Sequence, residues 1–230
     1  MKSIHDDAQV AVTSGRVRLE GMLQVPDSPI GVVLFAHGSG SSRHSPRNTF
    51  VAARLRAARV GTLLIDLLTY EEDRAYETRF DIDLLTRRLA DAVRFLARDP
   101  RSEKLPVGLF GASTGAAAAL RVAAEMPEAI AAVVSRGGRP DLASRDTLRR
   151  VKAPTLLIVG GDDSGVIELN ERAGAELECV KELAIVPGAT HLFEEHGTLD
   201  EVARLAADWF GRHLRNETVN ADRDQVERLT

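Results

Sequence analysis

The sequence predicts an α/β fold in which a mostly parallel sheet, preceded by an antiparallel hairpin, carries helices on both faces. The first observation is the alternation of apolar and polar residues around Ser14-Gly15, in QVAVTSGRVRLEGMLQVP, which is typical of a hairpin. The second is a series of short apolar runs rich in Val, Ile and Leu, which suit strands buried on both faces of a parallel sheet. The third is the set of helical patterns between those runs, because a hairpin followed by β-α units favours a sheet covered by helices.

The predicted strands and helices alternate along the chain. After the hairpin, the strands are GVVLFAHG, VGTLLIDLL, LPVGLFG, IAAVVSRGG, APTLLIVGG and ELAIVPGA. Helical patterns cover Thr49–Ala58, Asp81–Arg98, Thr114–Glu125, Val166–Leu177 and Leu199–Leu214. The second of these helices has the clearest periodicity, because DIDLLTRRLADAVRFLAR repeats its apolar residues one helical turn apart.

Composition narrows the function classes. The 230-residue chain is 44% hydrophobic and 28% charged, with a formal net charge of −4, which is the balance of an ordinary globular protein. So small a charge gives no reason to expect a nucleic-acid or membrane partner. The single Cys179 excludes an intramolecular disulfide. No apolar run approaches the roughly 18 residues of a membrane span and no signal-peptide core is visible, so we expect a cytoplasmic protein.

The same pass along the chain predicts one domain over residues 1–214, followed by a polar tail over 215–230. No internal repeat or linker divides the first segment. Residues 138–154, between two predicted strands, have room for a short helix but not for a large lid domain.

The segment PVGLFGASTGAAAAL places Ser113 in a Gly-x-Ser-x-Gly pattern between a predicted strand and a predicted helix. The pattern alone is a weak signal, because a tight strand-to-helix packing turn would use the same glycines. In this context it predicts a nucleophile elbow, in which the turn lifts the serine hydroxyl above the edge of the sheet. The N–H of Thr114, at the start of the helix, would then face an oxyanion.

A nucleophilic serine requires a base and a group that orients the base. His191, in VPGATHLFEEHG, follows the last predicted strand, so its loop should emerge at the same edge of the sheet as Ser113. Asp162 and Asp163 follow the preceding strand, and the chain order Ser, Asp, His is one in which such triads occur. Two adjacent aspartates should diverge, so we predict that Asp163 reaches the imidazole and Asp162 serves the turn. Asp141, after another strand, is the alternative acid.

These motifs together resemble the dienelactone-hydrolase-like group of the α/β-hydrolase superfamily. The resembling segments are LFAHGSGSSRHSPRN, IDLLTYEE, RFDIDLLTRRL, GLFGASTGAAAAL, VVSRGGRPDL, LLIVGGDDSGVIELN and PGATHLFEE. The resemblance covers roughly Gly31 to Leu214 and implies an α/β-hydrolase fold with Ser113, Asp163 and His191 as a catalytic triad. One departure matters: the dienelactone hydrolases that name the group carry a cysteine nucleophile, whereas this chain carries a serine. That difference puts dienelactone itself in doubt as the substrate.

The stretch HGSGSSRHSPRN follows the first parallel strand, where hydrolases of this fold place a second oxyanion donor. We predict the Ser39 N–H as that donor, with Gly40 as the adjacent alternative, because main-chain amides do not titrate and glycine lets a substrate approach closely. We expect His37 to support this loop rather than to transfer protons.

The basic residues of the same stretch have two interpretations. Arg43, His44 and Arg47 could bind an anionic group of the substrate, or they could hold the loop and cap the next helix. The structural interpretation is favoured, because nothing else in the sequence indicates an acidic ligand.

The predicted function is hydrolysis of a small ester or related acyl substrate through an acyl-enzyme. The alternatives are a thioesterase or acyltransferase with the same triad, and a non-catalytic binding module of the same fold. We expect no cofactor and no metal, because TYEEDRAYE and LFEEH lack metal-ligand spacing with histidines and neither a P-loop nor a dinucleotide motif is present. The oligomeric state stays open, with a homodimer as one option.

Overall fold

The computed structural model describes residues 8–214 and contains one eight-stranded sheet. Its strands are β1 (Ala8–Ser14), β2 (Val17–Gln24), β3 (Gly31–Ala36), β4 (Val60–Ile65), β5 (Val107–Ala112), β6 (Ile130–Arg136), β7 (Thr155–Gly160) and β8 (Lys181–Val186). They lie in the order β1-β2-β4-β3-β5-β6-β7-β8. The pairs β1/β2 and β2/β4 are antiparallel and the other neighbours are parallel, so the predicted hairpin and mostly parallel sheet are confirmed.

Helices pack on both faces of this sheet. They are α1 (Pro46–Ala57), α2 (Tyr70–Asp73), α3 (Ile82–Leu96), α4 (Thr114–Glu125), α5 (Arg145–Arg150), α6 (Ser164–Glu176) and α7 (Thr198–His213), with 3₁₀ turns at Glu77–Phe80 and Pro140–Ala143. One core cluster contains the buried faces of α3 and α4, and a second contains those of α1 and α7. The polypeptide therefore forms the three-layered α/β arrangement that the alternating pattern predicted.

Local capping explains where the helices begin. The Ser45 hydroxyl accepts a hydrogen bond from the Asn48 N–H at 3.4 Å, so α1 begins at Pro46 rather than at the predicted Thr49. The short helix α2 was not predicted. It is stabilised by a capping box in which Thr69 and Glu72 satisfy each other's backbone N–H groups.

The prediction that the apolar runs form strands buried on both faces is wrong for β8, the last strand of the sheet. The runs of β3, β4, β5 and β7 are buried throughout, but β8 is exposed along most of its length because it has a neighbour on one side only. The predicted polar tail, 215–230, lies outside the described residues. None of the helices in the described part of the chain is long and apolar enough to cross a membrane.

Candidate active site

The turn between β5 and α4 holds Ser113 in a strained backbone conformation. Its φ is 50° and its ψ is −121°, which is a sparsely populated region for a residue with a side chain. The flanking glycines are sterically required: a Cβ atom would lie 2.4 Å from Ala116 Cα if placed on Gly111, and 2.2 Å from Ala36 O if placed on Gly115. The small residues of this segment therefore allow a sharp strand-to-helix turn with the serine at its tip.

The Ser113 hydroxyl is not used by the fold. The backbone is held on both sides, since Ser113 N–H donates to Arg136 O at 3.3 Å and Arg139 N–H donates to Ser113 O at 3.1 Å. The side chain, however, does not cap α4, and it makes no hydrogen bond to any described residue. A held backbone with an uncommitted hydroxyl suits a group that meets a ligand.

His191 lies in the loop after β8 and is bonded to one of the two candidate acids. Its Nδ1 lies 2.7 Å from Asp163 Oδ2, with side-chain exposures of 39% for His191 and 18% for Asp163. Asp162 is exposed, and the structure does not bring it to the imidazole. Asp141 pairs with Arg139 at 2.9 and 2.7 Å, so the alternative acid is engaged elsewhere. With Nδ1–H donated to the carboxylate, Nε2 of neutral His191 carries the lone pair.

The serine and the histidine belong to neighbouring segments at the carboxyl edge of the sheet. Gly137 follows Arg136, whose carbonyl oxygen accepts the hydrogen bond of the Ser113 N–H. A Cβ atom placed on Gly137 would lie 3.5 Å from Nδ1 and Cε1 of His191. The hydrogen bond that proton transfer would require between Ser113 and His191 is not formed among the described residues. Hydrogen bonds of this kind are often long or poorly aligned in enzymes without bound substrate.

The loop after β3 packs directly on the serine turn. A Cβ atom placed on Gly38 would lie 3.0 Å from Ser113 Cβ. The next residue, Ser39, donates its N–H to Thr114 Oγ1 at 3.1 Å, so the predicted oxyanion donor is already hydrogen-bonded to the residue after Ser113. Gly40 is exposed, with a φ of 68°. The Ser39 N–H can therefore bind an oxyanion only if it shares or gives up its hydrogen bond to Thr114 Oγ1.

His37 has a supporting role in this loop. It is buried, its Nδ1 lies 3.0 Å from Gly38 O, and Leu67 N–H donates to its Nε2 at 3.0 Å. Burial lowers the pKa of His37, with smaller opposing effects from its bond to Gly38 and from nearby carboxylates. Both nitrogens are therefore committed to backbone groups, and the imidazole holds the start of the loop against the end of β4.

The basic residues of the loop are largely paired. The Arg43 guanidinium bonds to Asp66, and to Glu20 at 2.5 Å, so two carboxylates compensate its charge. His44 is exposed and donates its backbone N–H to the Ser42 hydroxyl at 3.2 Å. Arg47 Nη1 contacts Glu194 Oε1 at 2.7 Å. For Arg43 these contacts agree with the structural interpretation rather than with an anion site.

Beside this loop lies a cavity that the sequence did not indicate. Its volume is about 400 Å³, and its walls come from β2, from the loop after β3 and from the segment after β4. Its lining residues include Glu20, His37, Ser41, Arg43, Asp66, Leu68, Tyr70 and Asp73. The Thr69–Glu72 capping box was the one available sequence signal that this segment is structured. Within residues 8–214, no group of three His, Cys, Asp or Glu side chains is arranged to hold a metal ion.

A family model and solved structures were compared with this chain. The model of the alpha/beta hydrolase family matches residues 33–148. A crystal structure of a dienelactone hydrolase from Anabaena variabilis is 55% identical, with a TM-score of 0.89 over 91% of this chain and 98% of that chain. The protein Est1E from Butyrivibrio proteoclasticus is 14% identical, with a TM-score of 0.76 over 89% of this chain and 98% of its own, which shows a likeness of fold alone.

Relatives from Mycobacterium tuberculosis carry a different name. The chain is 58% identical over 208 residues to proteins of two strains named "Putative phosphoribosyl transferase". The match covers 90% of this chain but 47% of theirs, so the chain spans about half the length of the curated relatives it matches.

Proposed function

Because this chain belongs to the alpha/beta hydrolase family, we propose that it hydrolyses a small carboxylic ester or a related acyl substrate through a Ser-His-Asp triad. The observation that carries the proposal is the 2.7 Å contact between His191 and Asp163 at the edge of the sheet where the strained turn presents Ser113. A strained serine and a carboxylate-bound histidine are the groups that acyl transfer needs.

In the proposed reaction, Ser113 Oγ attacks the carbonyl carbon while His191 Nε2 takes the hydroxyl proton. Asp163 holds the imidazole in the tautomer with the proton on Nδ1 and stabilises the imidazolium that forms. His191 then gives its proton to the leaving alcohol, and an acyl-Ser113 ester remains. Water, deprotonated by the same histidine, attacks this ester and releases the acid and the free serine.

The oxyanion that forms during attack needs N–H donors. Thr114 N–H, at the first turn of α4, is the donor that we propose first, because the helix N-terminus favours negative charge there. Ser39 N–H is the second donor. It donates to Thr114 Oγ1 at 3.1 Å, and the oxyanion would compete with this hydroxyl for the N–H. Gly40, the next residue of the loop, is the alternative.

Two features support a small ester over the other candidates. The segment between β6 and β7 holds one 3₁₀ turn and the six-residue helix α5, so the site has little covering structure there and short acyl groups should suit it. Dienelactone, the substrate in the name of the Anabaena variabilis relative, is a cyclic ester and falls within the same chemistry. Thioester cleavage and acyl transfer would use the same three groups, and a binding module would need none of them.

The name phosphoribosyl transferase belongs to proteins of which this chain matches 47%. The groups that we identify in the matched portion suit acyl chemistry, so we do not propose phosphoribosyl transfer for this chain. We further propose a cytoplasmic location, on the composition alone, with a homodimer as one option for the assembly of the chain.

Labelling and mutation of the serine test this proposal. A fluorophosphonate should modify Ser113, and Ser113→Ala should lower kcat on p-nitrophenyl esters by roughly 10³-fold or more. Ser14→Ala, in the outer hairpin, is the control and should keep both labelling and rate. Labelling of another residue, or substantial esterase activity in Ser113→Ala, would reject the assignment.

A further inference from the structure

One carboxylate, that of Glu195, closes the loop that carries His191. Its Oε1 accepts a hydrogen bond from the Thr190 hydroxyl at 2.6 Å, and its Oε2 accepts one from the Thr190 N–H at 3.1 Å. This glutamate belongs to LFEEH, a stretch for which the sequence indicated no chemical role. Both of its oxygens therefore bond to the residue that directly precedes the candidate base.

The remaining polar group of Thr190 is engaged as well. Its carbonyl oxygen accepts the Phe193 N–H at 3.2 Å, which closes a turn with His191 as its second residue. A Cβ atom placed on Gly160 would lie 2.6 Å from the same carbonyl oxygen, so the backbone here also packs closely on the end of β7. The backbone from which the imidazole extends is thus fixed at Thr190, and Glu195 makes two of the bonds that fix it.

Glu195 is in turn anchored to the start of α7. Its carbonyl oxygen accepts the Thr198 hydroxyl at 2.7 Å and the N–H of the same residue at 3.1 Å. Thr198 is the first residue of α7 and is buried. A continuous set of hydrogen bonds therefore connects a rigid helix, through Glu195, to the residue before His191.

The Glu195 carboxylate is ionised when it makes these bonds. The hydrogen bond from the Thr190 hydroxyl, followed by those from backbone N–H groups, lowers the pKa of Glu195. An ionised carboxylate has two acceptor oxygens, which is what the two donors of Thr190 require. The side chain therefore suits a holding role near neutral pH.

The direction of the imidazole depends on two anchors. One is the 2.7 Å contact between Nδ1 of His191 and Asp163, and the other is the position of the backbone that carries the ring. The hydrogen bond from Ser113 to His191 is not formed among the described residues, so a small displacement decides whether the two groups meet. A misplacement of about 1 Å can lower a reaction rate by roughly 10²-fold.

We propose that Glu195 is a positioning residue for the proposed hydrolase reaction, on which this inference rests. Its carboxylate holds Thr190 and thereby sets the backbone position of His191. The imidazole Nε2 is then directed to the place where the Ser113 hydroxyl gives up its proton. In this role Glu195 neither touches the substrate nor exchanges a proton, so its loss should slow the chemical step and leave substrate binding unchanged.

Steady-state kinetics on p-nitrophenyl butyrate test this role. Glu195→Gln should lower kcat roughly 10- to 100-fold and leave KM within about twofold, because the amide offers one acceptor oxygen in place of two. Glu194→Gln is the matched control. It removes the same charge one residue away, from a side chain that is 62% exposed and pairs with Arg47 at the surface, so it should keep both constants. An unchanged kcat in Glu195→Gln, an equal loss in both variants or a change confined to KM would overturn the role.

Substitutions of Thr190 separate hydrogen bonding from charge. Thr190→Ser keeps the hydroxyl and should retain kcat, whereas Thr190→Val removes it and should lower kcat roughly 3- to 10-fold. Because Glu195 acts through Thr190, the double variant Thr190→Val, Glu195→Gln should lose less than the product of the two single losses. A loss equal to that product would mean that the carboxylate acts by another route, and it would overturn the proposal.

The NMR signal of the His191 Cε1–H reports on the imidazole without any turnover. The unsubstituted chain should give one sharp signal, identified by its loss in His191→Ala. In Glu195→Gln this signal should broaden or split, because the ring samples several orientations, whereas in Glu194→Gln it should stay sharp. An unchanged signal in Glu195→Gln, or a broad one in the unsubstituted chain, would overturn the positioning role.

The same signal separates the two proposals. If the unsubstituted chain cleaves no ester, the proposed hydrolase function fails, while the His191 signal still decides whether Glu195 fixes the ring. If Glu195→Gln does not fold, Thr190→Val takes its place in the NMR comparison and must broaden or split the signal, with Thr190→Ser as its control.

Discussion

Two loops at the same edge of the sheet each carry a histidine, and the two histidines differ in every contact. His37, in the loop after β3, is 6% exposed and both of its ring nitrogens face backbone groups. His191, in the loop after β8, is 39% exposed at its side chain and has one nitrogen on the Asp163 carboxylate. The difference shows that a histidine at this edge becomes a candidate base only where one nitrogen stays available to a ligand.

The backbone anchoring of the two loops is nevertheless alike. A Cβ atom placed on Gly115 would lie 2.6 Å from His37 O, and one placed on Gly160 would lie 2.6 Å from Thr190 O. Each loop therefore rests on a glycine of a neighbouring segment, where any side chain would clash. The fold positions both loops in the same way, and their side chains decide what each loop can do.

Replacing the available histidine should have the largest effect. His191→Ala should lower kcat on p-nitrophenyl esters by roughly 10⁴- to 10⁶-fold, because no other group can take the serine proton. His196→Ala, an exposed residue in the same loop, is the matched control and should retain the rate. Substantial esterase activity in His191→Ala would contradict the conclusion that the loop after β8, and not the loop after β3, carries the base.

The acid of the pair should have the next largest effect. Asp163→Asn should lower kcat by roughly 10²- to 10⁴-fold, because the amide no longer stabilises the imidazolium or holds the tautomer. Asp162→Asn is the control, since the Asp162 side chain is exposed, and its rate should stay within about twofold of the unsubstituted chain. The reverse order of the two losses in steady-state assays would assign the acid to Asp162.

Adding a side chain to Gly160, which lies against the backbone of the His191 loop, should lower the stability of the fold. Gly160→Ala would place Cβ 2.3 Å from Ala189 O, a backbone atom that cannot move aside, so the free energy of unfolding should fall by at least about 2 kcal/mol. Gly174→Ala, within α6, would meet Leu157 at an ordinary 3.7 Å and should gain about 0.5–1 kcal/mol. Equal midpoints of urea denaturation for the two variants would show that the loop is not held by this close contact.

The smallest expected effect is on the pH dependence of the free energy of unfolding, and it comes from the buried His37. Because burial lowers the pKa of His37 in the folded state, the unfolded chain binds a proton first as the pH falls below about 6.5. The stabilisation is therefore complete above about pH 6.5 and is lost toward the lower folded pKa, with a slope of at most about 1.4 kcal/mol per pH unit.

Denaturation of His37→Gln between pH 5 and pH 8 checks this slope. Glutamine can still accept the Leu67 N–H but does not titrate, so the stability of this variant should depend less on pH. His213, whose pKa is also lowered by burial, contributes separately, and His213→Gln should retain the slope that belongs to His37. An unchanged pH dependence of stability in His37→Gln would contradict the role of this imidazole as a buried, backbone-bonded support of the loop.

Much of the candidate site follows from local sequence. Gly111, Ser113 and Gly115 determine the turn by themselves, because a serine with positive φ between a strand and a helix needs neighbours without side chains. Periodicity likewise predicted α4 with its observed bounds, Thr114–Glu125. Chain order also predicted that the loops of Asp163 and His191 emerge at one edge of the sheet, since the carboxyl ends of parallel strands share one edge.

Contacts between distant segments were decided only by the tertiary structure. Nothing in the local pattern separates Asp162 from Asp163, because the choice depends on which carboxylate meets an imidazole 28 residues further along the chain. Nor does it show that Ser39 N–H meets a hydroxyl 75 residues away. Sequence alone determined most of the elements, the turn and the edge of the sheet at which the candidate residues lie, because these depend on backbone preferences and periodicity. The partner of each polar group depends on how the two helical layers and their loops pack, and only the folded chain specifies that.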